Sequence, residues 1–190
     1  MDLPSLRLTG SADVSVRPAR PEDAASIARV QLVTWRTAFG RLLPADVLAA
    51  WDDTAAAETW RAAIAAPPSP AHTVLVAVDA GTVVGFAATA PDGDAREVTV
   101  LLVEPRWGRR GHGSRLLAAV TDLARAAEVS TLTTWLAEQD TVTSRFLEAA
   151  GWAPQGAVRL LESADDVVRQ LCWHTRLDGD GPAAEREGKP

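Results

Sequence analysis

The stretch Leu101-Leu102-Val103-Glu104-Pro105-Arg106-Trp107-Gly108-Arg109-Arg110-Gly111-His112-Gly113-Ser114-Arg115-Leu116-Leu117 runs from an apolar strand, through a proline, into a loop of glycine and arginine. The loop opens directly onto an amphipathic helix. Glycine lets a backbone turn tightly and approach a ligand closely. The first turn of the following helix leaves N–H groups unpaired and carries partial positive charge. Arg109 and Arg110 add formal charge beside those amides, so the run reads as a site for phosphate or pyrophosphate.

Working outward, residues 113–127 place Leu116, Leu117, Val120 and Leu123 at helical spacing, which predicts an inward-facing stripe. Residues 96–103 read as the strand before the loop and 131–136 as the strand after the helix. A strand, a helix and a strand in succession predict a parallel pair with a right-handed crossover. Upstream, 13–17 reads as a short strand, and 22–39 as a helix with Pro21 at its first turn. Residues 44–51 and 54–66 read as two further helices, stopped by Pro67-Pro68. Residues 73–78 and 83–90 are β-branched runs joined by Asp79-Ala80-Gly81-Thr82, a hairpin signal. Pro91-Asp92-Gly93-Asp94 marks another turn. Downstream, 141–150 reads as a helix ended by Gly151, followed by strands near 158–161 and 167–177. Residues 1–12 read as a flexible leader and 178–190 as a disordered polar tail. The fold class expected is α/β, one domain over 13–177, a mixed sheet with helices on both faces.

Composition narrows the function. A chain of 190 residues, 47% hydrophobic, suits one domain with a full core. A net charge of −6 offers no basic footprint for nucleic acid. The apolar runs are strand-length, too short for a membrane span, and the first ten residues lack a signal-peptide layout. A cytoplasmic protein is therefore expected. Cys172 is the only cysteine and His72, His112 and His174 are scattered, so no metal is expected. Lys189 is the only lysine and no Gly-x-x-x-x-Gly-Lys occurs, which sets aside a nucleotide-binding phosphate loop. The chain has no tyrosine and seven tryptophans, and the missing tyrosine bears on the chemistry below.

The order of elements, with the loop in that place, resembles the GCN5-related N-acetyltransferase superfamily over roughly residues 13–177. The family's central motif is Val-x-Pro-x-x-(Arg/Gln)-x-x-Gly-x-(Gly/Ala), then a small residue and leucines. Val103, Pro105, Gly111, Gly113, Ser114, Leu116 and Leu117 match it. Gly108 stands where Arg or Gln is usual, and Arg109 follows where glycine is common, as though the pair were exchanged. Ser144-Arg145-Phe146-Leu147-Glu148-Ala149-Ala150-Gly151-Trp152 resembles the later helix, which typically ends Phe-Tyr-x-x-x-Gly-Phe. Thr34-Trp35-Arg36-Thr37-Ala38-Phe39, followed by Leu42-Leu43-Pro44, looks like the first helix and acceptor loop of small bacterial members.

The resemblance implies a mostly antiparallel sheet of six to seven strands splayed at its centre, and transfer of acetyl from acetyl-CoA to an amine. It puts the pyrophosphate on Gly108, Arg109, Arg110, Gly111, His112, Gly113 and Ser114. The pantetheine amides would lie along Leu101, Leu102 and Val103 as though the cofactor were an extra strand. A backbone N–H near Val103 would polarise the thioester carbonyl. The acceptor expected is a small-molecule or peptide amine, with no nucleic acid or membrane partner. Many relatives pair as dimers, so the resemblance leaves room for a homodimer.

An alkylammonium has a pKa of about 10, so the acceptor must lose a proton before it attacks. Glu97 occupies a position where many relatives carry a carboxylate, and reads either as that base or as a group solvating the strand's start. Glu104, opposite Val103 in strand alternation, is expected to be exposed. Leu147 sits where relatives use a tyrosine to protonate the leaving thiolate. Ser144 is one turn away at i−3 and reads as a stand-in donor or as an ordinary exposed serine. A thiol is a good leaving group with a pKa near 8.5, so its protonation need not limit the rate. His112 reads as a phosphate contact or, preferentially, as an exposed loop residue. Trp173 and His174 alternate on the last strand, so one is expected on the acceptor side. Trp35, Phe39, Trp51 and Trp60 suit either acceptor-pocket walls or core packing, and Cys172 reads as a small buried hydrophobe. A second class stands beside the enzyme: an acyl-CoA-binding sensor or interaction domain with impaired catalysis, favoured by Gly108 and Leu147.

Overall fold

A computed structural model describes residues 14–40, 45–162 and 167–177. The expected leader (1–12) and tail (178–190) lie outside the described residues, as do Asp13 and Pro44 at the ends of two expected elements. The chain forms strand β1 (Val14–Pro18), helices α1 (Ala24–Ala38), α2 (Ala45–Ala49) and α3 (Asp53–Ala65), and strands β2 (Thr73–Asp79), β3 (Thr82–Asp92) and β4 (Ala95–Val103). Helix α4 (His112–Ala126), β5 (Thr131–Ala137), α5 (Thr141–Ala149), β6 (Ala153–Glu162) and β7 (Val167–Arg176) complete it. The seven strands make one sheet in the order β1-β2-β3-β4-β5-β7-β6. All neighbours are antiparallel except β4 and β5, the pair that flanks α4.

Local chemistry sets the element ends. The β2–β3 turn takes positive φ at Ala80 (46°) and Gly81 (79°), the twist a two-residue hairpin needs. The Asp52 carboxylate accepts from the Ala55 amide at 2.8 Å, and Asp140 accepts from Thr143 at 2.9 Å. Each satisfies a donor that the first turn of α3 or α5 leaves free. Gly151 ends α5 at φ 83°, a conformation that costs glycine little.

Two apolar layers sandwich the sheet. On one face Ile27 and Val30 of α1 pack on Val76, Phe86 and Leu102. On the other Leu116, Leu117, Val120 and Ala124 of α4 join Leu132, Leu147, Trp152 and Trp173. Leu123, expected in that stripe, is 39% exposed, and Ala124 is buried in its stead. With α4 packed flat on the sheet, the stripe 116, 117, 120, 124 faces in and 123 falls on its solvent flank. Trp60 meets Phe86 edge-on at 5.0 Å and donates to Gln31 at 2.7 Å. It serves the core.

Candidate active site at the parting of two strands

Strands β4 and β5 pair at Arg96↔Leu132 and Glu97↔Thr133, and their register goes no further. Just beyond, the Thr134 hydroxyl donates to the Val98 carbonyl at 2.8 Å, so a side chain replaces the neighbouring strand as partner. On the other edge of β4, the register with β3 skips Thr99, which bulges out of the ladder. From there to the loop, β4 turns a backbone edge without a strand partner towards β5. Between the diverging strands lies a cavity of about 560 Å³. Leu101 and Leu102 of β4, Trp135 and Leu136 of β5, Leu117 of α4 and Phe146 of α5 line it, together with Trp35 of α1 and Phe39 just after that helix.

The glycine–arginine loop stands where β4 ends. Residues Pro105–Trp107 make one 3-10 turn, and the Gly108 amide donates to the Pro105 carbonyl at 3.0 Å. Arg109 then adopts φ 59° and Gly111 φ 80°, so the position where glycine is usual keeps its left-handed backbone with an arginine on it. The first helical bond of α4 runs from the Arg115 amide to the Gly111 carbonyl at 3.0 Å. The amides of His112, Gly113 and Ser114 therefore precede the helical ladder and have no acceptor within it. Arg109 and Arg110 are exposed. Arg110 lies over the Trp107 ring at 4.9 Å, and its carbonyl accepts from Arg115 at 2.9 Å.

Two loop residues depart from expectation. Glu104 is 4% exposed. Alternation does send it opposite Val103, but that face is covered by α1, whose Arg29 donates to it at 2.6 Å and to the Val83 carbonyl at 2.9 Å. Arg106 pairs with its other oxygen. His112 is 1% exposed, because the helix start turns its ring beneath the loop. Its Nε2 is 3.2 Å from Asp79 Oδ2, outside hydrogen-bond geometry, and its ring meets Trp107 edge-on at 6.3 Å. With the imidazole buried, what His112 leaves free at the helix start is its backbone amide.

The remaining candidate residues sort by face. Trp35 and Phe39 line the cavity, and Trp35 meets Trp51 edge-on at 5.3 Å. Trp173 is buried among α4 and α5 residues. His174, half-buried, sits beside Thr133 in the register on the opposite face. Neither lines the cavity, because β7 approaches it through Val168 and Gln170, farther along the strand. Ser144 is half-buried and off the cavity wall; the hydroxyl-bearing residue of α5 that lines it is Thr143. Leu147 lines it too, 4% exposed. Cys172 is buried, and its thiol donates to Gln155 at 3.2 Å.

Glu97 stands at the last paired position, one residue before the cavity's Val98. Burial pushes its carboxyl above the ordinary range, Arg159 pulls it back, and Asp92 adds to the rise. Asp92 itself accepts from Thr133 at 3.0 Å. Burial, with Asp92 and Glu97 beside it, likewise pushes the Cys172 thiol up. Sequence reading missed Trp135, Gln170, Thr143 and Arg159, because nothing in their local pattern marks them; only strand order gathers them.

A sequence model of the acetyltransferase (GNAT) family matches residues 32–152. The chain belongs to that family. The match takes in the parted strands, the loop and both flanking helices. A mycothiol acetyltransferase of Stackebrandtia nassauensis is 36% identical over 121 residues, 63% of this chain and 36% of that protein. An uncharacterized N-acetyltransferase of Bacillus subtilis, YuaI, is 30% identical over 134 residues, 67% of this chain and 73% of that one. The chain thus spans about a third of the first relative and about three quarters of the second. Among solved structures, an N-acetyltransferase from Staphylococcus aureus superposes with a TM-score of 0.70 at 14% identity, covering 87% of this chain and 99% of that one. YncA, a putative acetyltransferase from Salmonella typhimurium solved with acetyl-CoA, gives 0.67 at 19% identity, covering 90% and 99%. These likenesses establish the GNAT fold. Among the described residues no helix is long and apolar enough to cross a membrane.

Proposed function

We propose that the chain transfers acetyl from acetyl-CoA to the primary amine of a small molecule, an amino-acid derivative or a peptide by direct attack on the thioester. The observation that carries this reading is the early end of the β4–β5 ladder, with the free amides of α4 at the mouth of the opening. Those features suit the co-substrate. Three unpaired amides and two exposed arginines match a pyrophosphate, and an unpartnered strand edge matches an arm carrying two amides. YncA was solved with acetyl-CoA as its cofactor, and the same molecule bound here would supply the activated acetyl group.

The chain's own groups then have distinct tasks. Gly108 to Ser114 hold the phosphates, and Leu101, Leu102 and Val103 align the arm. A free β4 amide near Val103 polarises the thioester carbonyl. Glu97, with its raised carboxyl pKa, takes the ammonium proton directly or through a water. The amine nitrogen bonds to the carbonyl carbon as the carbon–sulfur bond breaks, and coenzyme A leaves as thiolate. The new amide nitrogen sheds its second proton, which ends on the sulfur; Thr143, the α5 residue on the cavity wall, is better placed than Ser144 to relay it. Trp35 and Phe39 wall the acceptor end.

Leu147 favours one competing reading, an acyl-CoA-binding domain without catalysis, because it brings no proton to the place where relatives carry a tyrosine. Two measurements separate the readings. Acetyl-CoA is expected to raise the melting temperature under both, while free thiol appears across an amine panel only for the enzyme. Stabilisation by acetyl-CoA with no thiol released from any amine would leave the binding domain as the answer.

A further inference from the structure

On the sheet face that carries Glu97, the strand registers collect a second set of polar groups. Gln170 of β7 stands opposite Arg159 of β6, and Cys172 opposite Trp135 of β5. Thr133, two residues from Trp135 and on its face, stands beside Glu97. Arg159 is held within this set. Its Nε donates to Gln170 at 2.6 Å and its guanidinium lies over the Trp135 ring at 4.5 Å. Both neighbours line the cavity, as does Leu161, two residues along β6, while Arg159 and Glu97 border that lining without belonging to it. Arg159 is close enough to act on Glu97, yet among the described residues it forms no ion pair within 4.0 Å. Its two Nη groups have no protein acceptor among those residues.

A planar guanidinium pinned through Nε and one face, with no acceptor on either Nη among the described residues, presents the fork that matches a carboxylate. The opposing charges are Glu97 and Asp92 at the parting of the strands and Glu162 on the cavity wall. Positive charge at one point and negative charge at another suits a molecule that carries both. The cavity lining beside them is largely apolar and aromatic, with Trp135, Trp35, Phe39 and Leu161 among its residues.

We infer that the acceptor is a zwitterion of the α-amino-acid type with an apolar side chain, its carboxylate held by Arg159 while its amine faces Glu97. The inference rests on the N-acetyltransferase reading and narrows it. Polyamines and plain alkylamines lack the group Arg159 would hold, so they are the disfavoured acceptors. Arg159 is here a specificity-determining residue, acting on binding of the acceptor rather than on the reacting atoms.

The test pairs L-phenylalanine with phenethylamine and L-leucine with isoamylamine, measuring thiol release from acetyl-CoA by the full chain. The wild type is expected to prefer each amino acid by roughly 10- to 100-fold in kcat/KM, the worth of a charge-assisted hydrogen bond. Arg159→Gln is expected to collapse that preference through a higher KM for the amino acid, and Arg159→Lys to restore part of it. Circular dichroism and melting temperature establish that the variants are folded. Equal or better use of the decarboxylated amines by the wild type overturns the inference. So does an unchanged preference in Arg159→Gln. If no thiol is released with these amines and none with any other amine tried, the parent reading is overturned instead.

Discussion

Arg29 of α1 donates to Glu104 at 2.6 Å, joining two residues 75 positions apart. Glu104 is the last residue before the proline that opens the loop, and its backbone amide also donates to the Val84 carbonyl at 2.9 Å. The loop is therefore anchored from two sides before its free amides begin. Glu104→Gln leaves Arg29 and Arg106 without their anion and is expected to cost about 1–3 kcal/mol of stability. In steady-state kinetics KM for acetyl-CoA should rise more than kcat falls. A variant with wild-type melting temperature and KM would show that the anchor does not matter.

Glu97→Gln tests the base. It is expected to lower kcat by about 10²- to 10⁴-fold, the usual worth of general-base catalysis, with little change in KM for acetyl-CoA. Stability has its own sign. A carboxyl whose folded pKa is raised favours folding below its ordinary pKa and loses that contribution as pH rises through the folded value. Melting curves for wild type and Glu97→Gln should coincide near pH 4, and the variant should melt higher at pH 7 to 8. A wild-type rate for the variant removes Glu97 from the mechanism.

Asp23 gives the opposite pH behaviour. It accepts two bonds from Arg17, at 2.6 and 2.9 Å, and one from the Arg20 amide at 2.8 Å. Arg17 above all holds its carboxyl below the usual range. Its contribution is present above the ordinary carboxylate pKa and is lost as pH falls through the lowered folded value. Asp23→Asn should destabilise by about 1–3 kcal/mol at neutral pH, and the gap to wild type should narrow in acid. A gap that is constant with pH contradicts the assignment.

Arg109 at φ 59° occupies a backbone region that costs an L-residue about 1–2 kcal/mol. Arg109→Gly removes that strain and a cation together. The melting temperature without ligand is expected to hold or rise, while KM for acetyl-CoA rises several-fold. If the variant instead melts lower and binds acetyl-CoA as before, the arginine is a structural residue.

Thr143→Val removes the cavity's α5 hydroxyl at nearly constant volume. A fall in kcat of several-fold, with KM for both substrates retained, is expected if that hydroxyl assists the leaving thiolate. The parallel variant Ser144→Ala should leave kcat unchanged. The reverse pattern would restore Ser144 to the role.

How far the sequence reaches can be seen along the chain. The path from Leu101 to Leu117 is contiguous, and strand, turn and helix start each depend on neighbours a few residues away. Its backbone course was therefore legible without coordinates. The same holds for the β2–β3 hairpin and for the stop at Gly151. Side-chain direction at Glu104 and His112 was not legible. Alternation names a face, but only α1 and the ring of Trp107 decide whether that face is solvent or interior.

By itself the sequence determined a strand that ends in a glycine–arginine turn and opens a helix, because backbone amides and glycine torsions are local properties. Only the tertiary structure decided that β4 and β5 part after Glu97, which requires a bulge, a Thr134 side chain and two strands separated by a helix. It alone decided that Thr143 and not Ser144 faces the cavity, and that Arg159 from β6 stands over Trp135 near Glu97. Those meetings follow from a strand order in which β7 lies between β5 and β6, and no local spacing encodes that order.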